Sequence, residues 1–105
     1  MAKSKGKLKV GLIGSGAIAR EQHLPYWREL EAEGRVEILG VCDLIKVRRE
    51  TEAAQCVQAV PYENFDKMLA DIDFDIVDVC TQNRVHAPAA IAALKAGAHV
   101  LVEKP

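Results

Sequence analysis

The sequence lacks most of what would narrow its chemistry at a glance. After the basic start MAKSKGKLKV the only apolar run is VGLIG, interrupted by Gly11 and Gly14. That is too short for a membrane span or the hydrophobic region of a signal peptide. Charge of one sign is missing too. Lys plus Arg number 14 against 15 Asp plus Glu, a formal −1, so no long-range field favours nucleic acid or an anionic membrane. Any anionic ligand has to be gripped locally. Cysteine is sparse: Cys42, Cys56 and Cys80 form no C-x-x-C pair, and His23, His86 and His99 lie scattered. No zinc-ligand spacing follows and no metal is expected. A reduced, cytoplasmic setting fits this usage. Internal repeats, low-complexity tracts and linkers are absent.

What is present is a rhythm. At 105 residues the chain is one domain, long enough to bury roughly two-thirds of its unfolded surface around a core. Residues 1–7 read as a flexible basic arm and 8–105 as the domain, with Lys3, Lys5, Lys7 and Lys9 solvated. Short runs rich in Val, Ile and Leu alternate with longer helical stretches, the β-α-β pattern of a parallel sheet covered on both faces. Strands are predicted over 8–14, 36–43, 75–80 and 99–104, with a weak one at 56–60. The fold class is α/β, a Rossmann-type doubly wound sheet of strand order 3-2-1-4-5.

Breakers punctuate the crossovers. Pro25 would clash with the carbonyl of Glu21 in an unbroken helix. The expectation is a helix over 16–22, a break at His23 and Leu24, and a restart with Pro25 in the first turn. Gly34 closes it. A charged crossover helix spans 45–55, Asn64 is the N-cap of FDKMLAD, and AAIAALKAG begins around Pro88 and stops at Gly97.

The first strand runs into GSGAIA, Gly14 to Ala19, of the form G-x-G-x-x-A. Gly14 permits the tight turn, Gly16 lets a pyrophosphate approach the backbone, and Ala19 keeps the helix close to the sheet. Phosphate then meets unpaired N–H groups around Ser15, Ala17 and Ile18 at a helix N-terminus. The second strand ends in Asp43, 24 residues beyond Ala19, near the offset at which a carboxylate can hydrogen-bond an adenosine ribose. An acid there repels a 2'-phosphate and favours NAD over NADP. Lys46, Arg48 and Arg49 follow, either as a solvated helix face or, through Arg48, as a partner for a phosphate. A P-loop is excluded because no Lys-Ser or Lys-Thr follows Gly16, and GSG supplies no G-x-S-x-G nucleophile elbow. Asp71, Asp73 and Asp75 imitate an EF-hand start, but Ile76 and Gln82 occupy the positions that need Gly and Glu.

In an open parallel sheet ligands gather beyond the carboxyl ends of the strands. That rim comprises residues 14–18, Asp43, the TQNRVH segment after Cys80, and the terminal Glu103, Lys104 and Pro105. Thr81, Gln82, Asn83 and His86 either hydrogen-bond a ribose or phosphate or cap the following helix.

The runs VGLIGSGAIAREQHLP, VCD, DIVDVCTQNRVHAPAAIAALKAGAHV and LVEKP together resemble the N-terminal dinucleotide-binding domain of the glucose-fructose oxidoreductase and inositol dehydrogenase (Gfo/Idh/MocA) family. The resemblance covers nearly everything from Lys7 onward, and its specific part is T-x-N-x-x-H-A-P followed by E-K-P. It implies that Gly14 to Ile18 bind pyrophosphate and Asp43 reads the adenosine ribose. Thr81 and Asn83 lie by the cofactor, with His86 close behind. It implies further that Lys104 sits at the nicotinamide end and orients or polarises a substrate hydroxyl, with Glu103 lining the same pocket. Gln82 stands where the family often has proline.

The family's chemistry is hydride exchange between nicotinamide and a secondary alcohol, often of a sugar or cyclitol. Its members draw a histidine base and the substrate-binding sheet from a second domain beyond E-K-P, which this chain is expected to lack. The expectation is a module that holds NAD, or NADP, without turnover. The alternatives are half of an oxidoreductase completed by another chain, a Rossmann scaffold that binds nothing, and a SAM-binding domain. In the order 3-2-1-4-5 the segment HVLV becomes an exposed edge, so self-association, or docking of the missing domain there, is also expected.

Overall fold

In the computed structural model residues 6–14, 19–81 and 83–102 are described. The expected arm over 1–7 therefore lies outside the description except for Gly6 and Lys7. Strands β1 (Leu8–Ile13), β2 (Val36–Cys42), β3 (Val60–Tyr62), β4 (Ile76–Val79) and β5 (His99–Val102) form one sheet in the order β3-β2-β1-β4-β5. Every neighbouring pair is parallel. The expected Rossmann-type order is the observed one. Helices α1 (Leu24–Ala32), α2 (Lys46–Ala54), α3 (Phe65–Asp71) and α4 (Asn83–Lys95) make the crossovers. Among the described residues no helix is long and apolar enough to cross a membrane.

Alternation along the strands sorts the core into two layers. Val10, Leu12, Val36, Ile38 and Val41 meet Leu24 and Trp27 of α1 and Ala53 of α2 on one face. Ile13, Cys42, Val77 and Val79 meet Met68 of α3 and Ala89 and Ala93 of α4 on the other. Each large apolar side chain so buried contributes about 1.5–3 kcal/mol. On the second face Gly11 and Gly40 leave room for the Phe74 ring, which a Cβ at either position would meet at 3.0 Å or less.

Three boundaries differ from expectation. β3 occupies 60–62, not 56–60; residues 56–59 turn instead, and Pro61 enters the strand. A proline is tolerated there because β3 is an edge strand and only one side of it must donate to the ladder. The break expected at His23 and Leu24 is absent. A single π-helical turn, Ala19–His23, leads directly into α1, and Pro25 falls at its start. The wider turn offers a way around the bond that Pro25 cannot donate to Glu21. Finally, α4 starts at Asn83 and carries Pro88 inside it. One lost helix bond is outweighed by Ala89 and Ala93, both with no exposed surface, packing close on the sheet. Asn64 caps α3 as expected, its Oδ1 accepting from Lys67 N at 3.1 Å, and Gly34 and Gly97 take positive φ at the helix ends.

Candidate cofactor site

The carboxyl ends of β1, β2 and β4 converge on one cavity of about 480 Å³, within the usual range for a small-molecule or cofactor site. Gly14 lies at its centre. Its φ is +94°, and a Cβ there would stand 2.8 Å from the carbonyl carbon and oxygen of Cys80 and 2.9 Å from Thr81 N. Only glycine satisfies both the left-handed backbone and that approach. Gly14 N also donates to Cys42 O at 2.7 Å, and Cys80 N to Ile13 O at 2.8 Å. Thus the first strand's exit is clamped between β2 and β4.

Asp43 closes the next side. Its Oδ1 accepts from Ile45 N at 2.7 Å, an Asx-type turn that orients the carboxylate at the cavity. Asp43 N donates to Tyr62 O at 3.0 Å. Arg49 donates from one guanidinium nitrogen to the carbonyls of Asp43 and Leu44, at 3.2 and 3.3 Å. Arg49 therefore braces the loop, whereas Arg48 lines the cavity beside Asp43. The Cys42 thiol is pushed up to about 12 by burial first and by the Asp43 charge second, so it stays protonated at neutral pH.

Thr81 lines the opposite wall. Its Oγ1 is buried and has no hydrogen-bond partner among the described residues. Such a hydroxyl costs about 1–3 kcal/mol if it stays unsatisfied. Asn83 and His86 fall in the first turns of α4. Ser15, Gly16, Ala17, Ile18, Gln82, Glu103 and Lys104 lie outside the described residues.

Two groups escaped the sequence reading. Glu63, Asn64 and Phe65 also line the cavity, because strand order sets the exit of β3 beside that of β2. The misplacement of β3 hid this; a strand ending at Tyr62 would have pointed to it. The second group is His23, Asp78 and Cys80, whose ligand-type atoms lie within 4.8 Å of one another. Asp78 has no exposed surface. Its Oδ2 accepts from His23 Nδ1 at 2.6 Å and from Trp27 Nε1 at 2.8 Å, and the Cys80 thiol lies 3.4 Å from Oδ1. The usable signal was a lone acid inside the apolar strand DIVDVC, since a buried carboxylate requires partners.

The family model of the Gfo/Idh/MocA oxidoreductases, an NAD-binding Rossmann fold, matches residues 8–105. The chain belongs to this oxidoreductase family. Among curated relatives, D-glucoside 3-dehydrogenase of Escherichia coli is 32% identical over 104 residues, covering 99% of this chain and 29% of the relative. Inositol 2-dehydrogenase of Salmonella paratyphi B is 32% identical over 99 residues, with 93% and 29% covered. Of solved structures, KijD10, a 3-ketoreductase from Actinomadura kijaniata in complex with NADP, superposes with a TM-score of 0.81 at 33% identity, covering 95% of this chain and 31% of that one. The chain thus spans about 29% of the length of these curated relatives, and what is matched is their Gfo/Idh/MocA nucleotide-binding domain.

Proposed function

We propose that this Gfo/Idh/MocA chain binds NAD in the cavity between Gly14, Asp43 and Thr81, as the cofactor domain of an oxidoreductase acting on secondary alcohols of sugars or cyclitols. The observation that carries the reading is the cradle at Gly14. Bare backbone stands 2.8 Å from where a Cβ would be, and Thr81, whose buried hydroxyl has no partner among the described residues, lines the same cavity. A polar, elongated ligand suits both. The pyrophosphate is assigned to residues 14–18, with Ser15, Gly16, Ala17 and Ile18 supplying amides. Asp43 takes the adenosine ribose, and Thr81, Asn83 and His86 take the ribose and phosphate portions toward the nicotinamide.

NAD is preferred to NADP because a 2'-phosphate would meet the Asp43 carboxylate. That KijD10 was solved with NADP keeps the comparison sharp: among the described residues, Arg48 is the one cavity-lining cation that would offset Asp43. When bound, the nicotinamide supplies a hydride acceptor or donor. Lys104 and Glu103 are assigned to its far end, where an ammonium group favours a developing alkoxide. A base for the hydroxyl proton is also needed, and this stretch alone is expected to bind without turnover.

A second reading is completion by another copy or another chain. It is favoured by β5, where Leu101 and Val102 are 51% and 48% exposed on a strand paired, among the described residues, only with β4. A cytoplasmic setting is proposed with both readings, since the three cysteines are free.

Calorimetric titration with NAD, NADH and NADP tests the main reading. Binding of NAD in preference to NADP is expected, and a Gly16→Val variant should lose it while keeping its helical circular dichroism. Absence of heat with every nucleotide at millimolar concentration removes the proposal. Steady reduction of NAD with a polyol by this chain alone would refute the inactive-module part.

A further inference from the structure

β1 ends at Ile13, just before Gly14, and the π-helical turn Ala19–His23 leads into α1. Gly14 and His23 are both fastened to the four-residue stretch 78–81 of β4 and its exit. Gly14 sits against the Cys80–Thr81 peptide, with no room for a Cβ. His23 Nδ1 donates to Asp78 Oδ2 at 2.6 Å, and one turn on, Trp27 Nε1 donates to the same oxygen at 2.8 Å. We infer that Asp78 and His23 are positioning residues for the dinucleotide: they hold the π-helical turn Ala19–His23 at a fixed distance from the Gly14–Thr81 cradle.

The chemistry of Asp78 supports a role beyond packing. It lies on the face covered by α1, flanked on its own strand by Val77 and Val79. A valine would fill that place without any buried charge. Among the described residues no Lys or Arg reaches it, and it is held by His23, Trp27 and Cys80. A buried carboxylate with two strong N–H donors fixes direction and distance as well as energy. Apolar contact alone would let the π-helical turn slide, because dispersion has little directionality. Amide donors aimed at a diphosphate have to be held within a fraction of an ångström to keep their hydrogen bonds.

A metal ion is the competing occupant of the His23, Asp78 and Cys80 cluster. Tetrahedral zinc at ordinary ligand distances separates N and O ligands by about 3.3 Å, whereas His23 and Asp78 stand 2.6 Å apart and Trp27 already takes the same carboxylate oxygen. The hydrogen-bond network satisfies the geometry as it stands.

The inference rests on the dinucleotide reading, and the experiment separates the two. NADH affinity is measured by titration for the wild type, Asp78→Val, Asp78→Asn and His23→Asn, with folding checked by circular dichroism. Asp78→Val and His23→Asn should each weaken NADH by about tenfold or more, the scale of one lost charge-assisted bond. Asp78→Asn keeps an acceptor for Trp27 and an amide toward His23, so it should stay within about threefold of the wild type. Trp27 is the chain's single tryptophan, so its emission reports the network directly and should shift in Asp78→Val but little in Asp78→Asn.

Amide hydrogen exchange adds a readout that needs no nucleotide: exchange over residues 15–23 should accelerate in Asp78→Val and His23→Asn. Should Asp78→Val fail to fold, His23→Asn decides alone, since His23 is partly exposed at its surface. Folded variants with wild-type affinity and wild-type exchange overturn the inference. A wild type that binds no nucleotide, yet shows the exchange difference, sinks the dinucleotide reading and leaves the anchor standing. Zinc chloride alone should leave Trp27 emission unchanged; one-to-one zinc uptake by the wild type and not by Asp78→Asn would overturn the assignment in favour of a metal site.

Discussion

Two aspartates at the same rim are held in opposite ways. Asp43 follows β2, half-buried, and its carboxylate is oriented by the backbone amide of Ile45 two residues on. Asp78 sits inside β4 with no exposure and is held by side chains 51 and 55 residues away in sequence. The first is a local device, the second a tertiary one. A carboxylate steered by its own loop remains available to a ligand at the cavity wall. One whose Oδ2 is taken by both an indole and an imidazole, with a thiol at Oδ1, is committed to structure. The contrast separates the residue proposed to read the cofactor from the residue proposed to hold the reader in place.

The strongest way to break this division is at Gly14, where the two regions meet. Gly14→Ala forces a Cβ into the Cys80–Thr81 peptide at φ +94°. A strained backbone costs about 1–3 kcal/mol before the clash is counted. Thermal unfolding should fall by well over 5 °C, given about 4–8 °C per kcal/mol for a domain of this size, and NAD binding should vanish. A melt and a titration on one sample check both.

Asp78→Val comes next. Two buried donors lose their acceptor at about 1–3 kcal/mol each, partly offset by the removal of a buried charge. A net loss of about 2 kcal/mol in urea unfolding is expected, with the midpoint moving and the slope unchanged. Asp43→Ala should do the reverse: lose less than about 1 kcal/mol, since a local loop hydrogen bond at the surface is weakly stabilising, yet shift the NAD-to-NADP preference by about tenfold toward NADP. If Asp43→Ala destabilises the fold more than Asp78→Val does, the local and tertiary assignments have been exchanged.

The smallest effect concerns thiols. Cys42 and Cys56 are raised from an ordinary 9.0 to about 12 and about 11, by burial first and then by the neighbouring carboxylates Asp43 and Glu31. Folded protein keeps these protons where unfolded chain would release them, so stability falls as pH rises from about 9 toward 11 and 12. Below pH 8 neither thiol contributes a pH dependence. Iodoacetamide at pH 8 should label both only slowly until urea is added, and Asp43→Asn should speed Cys42 modestly while leaving Cys56 alone.

Periodicity made the sheet legible. Near-continuous apolar strands with helical crossovers predict the order 3-2-1-4-5, and Asn64, Gly34 and Gly97 punctuate it at the expected places. The glycine turn was legible for the same reason: a left-handed turn against neighbouring backbone admits no side chain. What failed did so where one residue type has two uses. Proline suggests a break before Pro25 and a helix start around Pro88, yet a π-turn and a well-packed alanine face absorb them, and the edge strand β3 accepts Pro61. The Asp43 side of the cavity could be anticipated because its partners lie within a few residues. The 63–65 wall and the His23–Asp78–Trp27 network could not, since their members meet only after the crossovers have closed.

By itself, then, the chain's spacing of apolar, glycine and acidic residues determined a doubly wound parallel sheet, a turn without side chains at Gly14 and a carboxylate at the end of β2. These depend on short-range sterics and alternation, which sequence records directly. Tertiary structure alone decided that an acid in the middle of β4 would meet an imidazole from the π-helical turn and an indole from α1, and that Thr81 Oγ1 would be buried without a partner among the described residues. Burial and hydrogen-bond satisfaction are properties of what surrounds a group, and the surroundings exist only once distant segments pack.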